Sequence, residues 1–62
     1  MNEYIINYID GSLNIIEADS LRDTTHFVEF VVYPEDPKDT SMPKVIYMAS
    51  VRHIRSIKIN RR

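Results

Sequence analysis

The chain has one glycine, Gly11, and it follows Asp10 between two runs, Glu3 to Ile9 and Ser12 to Ala18, in which side-chain character alternates. Asp-Gly between such runs is a strong signal for a type I′ hairpin. A two-residue turn fixes the register: Ile9 faces Ser12, Tyr8 faces Leu13, Asn7 faces Asn14, Ile6 faces Ile15 and Ile5 faces Ile16. Two unlike faces result. One carries Tyr4, Ile6, Tyr8, Leu13 and Ile15 and reads as core. The other carries Ile5, Asn7, Ile9, Asn14 and Ile16, which is too apolar for plain solvent exposure.

Beyond the hairpin, Asp19 to Thr25 is polar and rich in turn formers. It leads into His26-Phe27-Val28-Glu29-Phe30-Val31-Val32-Tyr33, whose β-branched and aromatic content predicts a strand with Val28, Phe30 and Val32 on its apolar side. Pro34 to Pro43 holds three prolines among charges, which excludes a helix interior or a central strand and predicts a mobile loop. Lys44 to Met48 reads as a strand. Ala49 to His53 is too short for an α-helix and suits one 3₁₀ turn that sets Val51 and Ile54 on one side. From Arg55, Ile57 and Ile59 alternate with Ser56, Lys58 and Asn60 as a last half-buried strand. The expectation is therefore an all-β domain over residues 1–62: a small five-stranded antiparallel, barrel-like sheet with one short 3₁₀ turn between strands 4 and 5.

A chain of 62 residues buries only about 60% of its unfolded surface, so its core is thin and added support is expected. There is no cysteine to supply a disulfide, and the two histidines are far apart, which offers no obvious structural zinc site. Oligomerisation is the remaining usual source, and a homo-oligomer is expected. The start, Met1-Asn2-Glu3-Tyr4, has no basic region, and no apolar run is long enough for a signal peptide or a membrane span. A cytoplasmic protein is expected, with no membrane partner. The net charge of −1 argues against strong nonspecific nucleic-acid binding, although Arg52, Arg55, Lys58, Arg61 and Arg62 crowd the carboxy-terminal end.

The segment Val45-Ile46-Tyr47-Met48-Ala49-Ser50-Val51-Arg52-His53-Ile54, two strands joined by a tight helical turn, resembles the second sequence motif of the Sm-like small β-barrels, within the wider SH3-like group. The likeness is greatest to their bacterial RNA-chaperone branch. The resemblance covers the whole chain in topology and about ten residues in sequence, and it implies an Sm-like fold. In that branch a lysine and a histidine after the motif tyrosine help bind RNA; here Met48 and Ala49 follow Tyr47, and the branch's amino-terminal helix is missing. The fold carries over further than the activity. In size and style the chain is also similar to short proteins encoded by bacteriophages and prophages.

Each chemically suggestive residue has a structural reading beside it. Asp19, Asp23 and His26 have ligand chemistry, but a polar connection uses such residues to satisfy its own backbone, so no metal is expected. The serines lack a nucleophile elbow or a partner base, and the one glycine sits in a turn, so neither an enzyme nor a cofactor is expected. Two functions remain. The first is a non-catalytic protein-interaction module, such as a phage or mobile-element accessory protein, that binds itself and another protein; its candidate interface is Ile5, Ile9 and Ile16. The second is an RNA-binding barrel in which Arg52, His53 and Arg55 contact phosphate and Tyr47 stacks on a base.

Overall fold

The computed structural model describes residues 1–61; Arg62, one of the basic residues of the carboxy-terminal end, lies outside the described residues. Six strands form in chain order: β1 (Asn2–Tyr8), β2 (Leu13–Ala18), β3 (Ser20–Asp23), β4 (Phe27–Val32), β5 (Lys44–Ser50) and β6 (Ile54–Asn60), with a 3₁₀ turn, Val51–His53, between the last two. They make two three-stranded antiparallel sheets, the first ordered β2-β1-β6 and the second β3-β4-β5.

An all-β architecture is thus present, with six strands rather than five among the described residues and two separate ladders there rather than one closed barrel. The additional strand is β3, in the segment whose composition suggested a polar connection. It needs only one apolar residue because it lies at an edge: Leu21 packs on the core, and pairing with β4 satisfies its backbone. Asp19 makes the corner between the sheets. Its N–H donates to the Val31 carbonyl at 2.9 Å and its carboxylate accepts the Tyr33 N–H at 2.8 Å. Those bonds give Asp19 the backbone role expected of a polar connection. Among the described residues no group of three or more His, Cys, Asp or Glu could hold a metal ion, and no helix is long and apolar enough to cross a membrane.

The hairpin forms where expected, but its register is displaced by one residue. The Tyr8 N–H donates to the Ser12 carbonyl at 3.0 Å and the Gly11 N–H to the Tyr8 carbonyl at 3.1 Å, so the loop is Ile9-Asp10-Gly11. Asn7 pairs with Leu13, Ile6 with Asn14, Ile5 with Ile15 and Tyr4 with Ile16. The cause is local. A type I′ turn needs positive φ at both central residues, yet among the described residues only Gly11, at φ 90°, has it. Asp10 instead turns its carboxylate onto the Ser12 N–H at 2.8 Å and the Ser12 hydroxyl at 2.6 Å, and the loop takes the three-residue form in which glycine sits at the bulge.

One residue of slip exchanges the faces of β2. Leu13 and Ile15, expected inside, are 56% and 52% exposed, whereas Ile16, expected outside, packs against the core. Tyr4, Ile6, Ala18, Val28 and Phe30 are buried at its centre, and Tyr8, Leu21, Tyr47, Ile54 and Ile57 close around them. Phe30 and Ile6 are fully enclosed, and the Tyr4 ring meets Phe30 edge-on at 5.3 Å, a favoured aromatic geometry. Val28 and Phe30 face inward as expected, whereas Val32, expected beside them, is only half-buried and is not part of the core cluster. Val31, on the alternate side of β4, is buried as well.

Candidate functional site

A cleft of ≈ 640 Å³ opens where the β1–β2 turn meets the end of β5. Three segments distant in sequence build it: Tyr8 to Asn14 from the hairpin, Tyr47 to Ser50 from β5, and His53 from the 3₁₀ turn. The Ile9 N–H donates to the His53 carbonyl at 2.9 Å, which ties the hairpin tip to the 3₁₀ turn. The Val51 N–H bonds the His26 carbonyl at 3.0 Å and anchors that turn to the start of β4.

Two tyrosine hydroxyls join the sheets at this cleft. Tyr8 ends β1 on its inward side, and its hydroxyl lies 2.9 Å from that of Tyr47 on β5. Burial pushes the Tyr8 phenol above its ordinary value, and the bond to Tyr47 pushes it the same way. The Tyr47 ring packs 6.1 Å from Phe30, so Tyr47 points inward against the core while also lining the cleft. On the rim, the Ser12 hydroxyl and then the Ser12 N–H hold the Asp10 carboxyl below its usual range, with a smaller contribution from nearby His53. Around these polar groups stand Ile9, 63% exposed, Leu13 and Met48. The arrangement offers hydrogen-bonding groups within an aliphatic rim.

The structure divides the residues singled out from sequence. Ile5, Ile9 and Ile16 do not share a face. Ile5 lies on the outward face of the first sheet, Ile9 on the cleft rim and Ile16 against the core, the consequence of the three-residue turn. Of the proposed nucleic-acid contacts, Tyr47 and His53 meet at the cleft. Arg52 and Arg55 are exposed and do not line it, and Arg55 is passed over where the β1–β6 pairing shifts between Asn7 and Tyr8.

Sequence reading missed Tyr8, Asp10, Ser12 and Asn14 as neighbours of Tyr47. The available signal was the Asp10-Gly11-Ser12 triplet, because an aspartate that caps the second residue after it builds a tight turn of its own.

A second surface is the outward face of the first sheet. Cross-strand pairing sets three rows upon it: Glu17, Glu3 and Asn60; then Ile15, Ile5 and Lys58; then Leu13, Asn7 and Ser56. Asn7 donates to the Ser56 hydroxyl at 3.4 Å within the last row. Leu13, Ile15 and Ile5 form an aliphatic corner, with glutamates at one end and a lysine on the far strand. No family model matches the chain, and neither a curated protein nor a solved structure is significantly similar to it.

Proposed function

We propose that this chain is a non-catalytic protein-interaction module that acts as a homo-oligomer. The observation that carries the reading is the outward face of the first sheet, where Leu13 and Ile15 stand more than half exposed beside Ile5. An apolar patch on so small a domain marks an interaction site. The cleft, with its aliphatic rim, is a second place where a protein partner could engage. The finer reading of the fold as an Sm-like barrel rests on the order of its strands and the 3₁₀ turn before β6, and the reading as a phage or mobile-element accessory rests on size and style alone.

The alternative, an RNA-binding barrel, draws on the exposed Arg52 and Arg55 beside His53. It has less support, because Tyr47 is engaged with Phe30 and Tyr8 and the Asp10 carboxylate stands at the same cleft. Sedimentation from about 10 to about 300 µM, combined with titration of a short labelled RNA at low and high salt, separates the two. The module reading expects a mass above that of the monomer and a flat RNA titration. A monomer throughout, together with RNA affinity that falls steeply with salt, would overturn it.

A further inference from the structure

Four consecutive residues of β5, Tyr47 to Ser50, border the cleft. Alternate side chains of a strand point to opposite faces, so what these four share is the strand's edge. Among the described residues β5 ends its sheet and pairs with β4 alone. The direction of its backbone groups follows from β4. The Phe27 N–H donates to the Thr24 hydroxyl at 3.0 Å and the Phe27 carbonyl accepts the Thr24 N–H at 2.8 Å, so both turn to the β3 side. Direction alternates along a strand, which turns Val28 and Phe30 towards Ala49 and Tyr47, their partners on β5. Met48 and Ser50 therefore turn outward. The Ser50 carbonyl heads the 3₁₀ turn, and the open edge presents the N–H and carbonyl of Met48 and the N–H of Ser50.

This edge is guarded less than the others. β3 is four residues long and holds Arg22 and Asp23, β2 holds Glu17, and β6 holds Arg55 and Lys58, whereas the one charge of β5 is Lys44 at its first position. Shortness and charge are what keep exposed edges from pairing. A bulge at Ile46 interrupts the first half of β5, but Tyr47 to Ser50 run in regular register with Phe30 to Phe27. Across the cleft stands the hairpin, Ile9 to Asn14, and that wall selects the occupant. A strand already built into a second copy's sheet would drive its own neighbour into the hairpin, while a free extended segment has no neighbour to place. The connection Pro34 to Pro43 of a second copy is a poor match. Its three prolines have no N–H to give, and Glu35, Asp36 and Asp39 would approach Asp10, the carboxylate of the cleft.

We propose that the cleft takes an extended segment of a partner protein, added as a strand to the open edge of β5, with a basic side chain over Asp10 and an aliphatic one against Leu13 and Met48. The inference rests on the interaction-module reading and adds the partner's chemistry and its mode of engagement. In such strand addition the main-chain bonds hold the segment and its alternate side chains give the choice of sequence.

The test uses the full chain and a labelled octapeptide in which valine alternates with lysine, followed by fluorescence anisotropy. Saturable binding below about 1 mM is expected. Affinity should be at least about tenfold weaker for the same peptide with every amide N-methylated, and for one with glutamate in place of lysine. Met48→Pro removes an outward N–H and spares the ladder to β4, so it should keep the native circular dichroism and lose the peptide. Asp10→Asn, which keeps an oxygen for Ser12, should narrow the lead of the lysine peptide over the glutamate one. Amide exchange followed by NMR reads the edge without any substitution: Met48 and Ser50 should exchange fast in the chain alone and slowly with peptide, and Tyr47 and Ala49 slowly in both. No saturation by about 1 mM, an N-methylated peptide that binds equally well, or Met48 and Ser50 amides unmoved by peptide overturns the proposal. Exchange at those two amides that slows as the chain alone is concentrated also overturns it and gives the edge to a second copy. In each case an oligomeric wild type with a flat RNA titration leaves the module reading standing, whereas a monomer with salt-dependent RNA affinity removes that reading.

Discussion

On the outward face of the second sheet, Arg22 and Glu29 sit opposite one another on β3 and β4 and close an ion pair at 2.8 Å, with Met48 of β5 completing the row. The corresponding central row of the first sheet is Ile15, Ile5 and Lys58. The two sheets share one core and differ in what they turn outward. In the second, the Arg22 and Glu29 charges answer each other within the chain. In the first, Leu13 and Ile15 stand more than half exposed. Sheet faces of similar size can thus be complete or incomplete, and three positions decide which.

The largest effect should come from the part both sheets share. Phe30→Ala removes the fully enclosed ring at the centre, and a loss of about 3–5 kcal/mol is expected. The total stability of such a domain is only about 3–9 kcal/mol, so the variant should be largely unfolded. Urea melts followed by circular dichroism should show both sheets lost in one transition. Two separate transitions would mean that the sheets unfold independently and do not share one core.

A smaller change tests the bond that ties the sheets at the cleft. Tyr8→Phe removes the hydroxyl bonded to Tyr47, and about 0.5–1.5 kcal/mol should be lost at neutral pH. Because the folded Tyr8 phenol titrates above its unfolded value, its contribution is fully present below the ordinary tyrosine value of 10.0 and is lost as pH rises through the raised one. Thermal melts between about pH 9 and 11 should therefore fall more steeply in the wild type than in Tyr8→Phe. Parallel curves would show that this phenol does not link folding to pH.

The smallest effect is expected at the ion pair. Arg22 is about half exposed, its side chain at 51%, so Arg22→Ala should cost only about 0.2–1 kcal/mol and less as salt is added. Stripping the second sheet's cover should leave the mass in solution unchanged if association belongs to the first sheet, and sedimentation reads that directly.

The place of the hairpin was legible in the sequence, and its register was not. Aspartate tolerates the left-handed region, so Asp10-Gly11 is compatible with a two-residue or a three-residue loop. The choice between them falls to the Asp10 carboxylate, which bonds to Ser12. That single preference inverted the faces of β2 and with them the expected interface. The 3₁₀ turn was legible because Ala49 to His53 admits little else between two strands. Strand β3 was hidden, since an edge strand of four residues with one apolar side chain carries no periodic signal. The cleft was unreadable for another reason: it unites the hairpin, β5 and the 3₁₀ turn, and no local pattern reports such a meeting.

The connection from Tyr33 to Pro43 gives the chain an unusual tolerance for being divided. It is held by short turns of its own, with the Asp36 carboxylate accepting the Lys38 N–H at 2.9 Å and the Asp39 carboxylate accepting the Ser41 N–H at 2.9 Å. The two strands beyond it part company: β5 joins the second sheet and β6 the first. A cut within this connection therefore yields two pieces that clasp each other, the shorter one contributing a strand to each ladder. Exposed loop tips are where chains accept nicks and insertions. Two separately made pieces, residues 1–38 and 39–62, should reassemble when mixed and regain the circular dichroism of the whole; a mixture that stays unfolded would count against it. By the same logic, new sequence could be spliced in here while both sheets keep their pairing, which makes this connection the natural place for the chain to gain a further part.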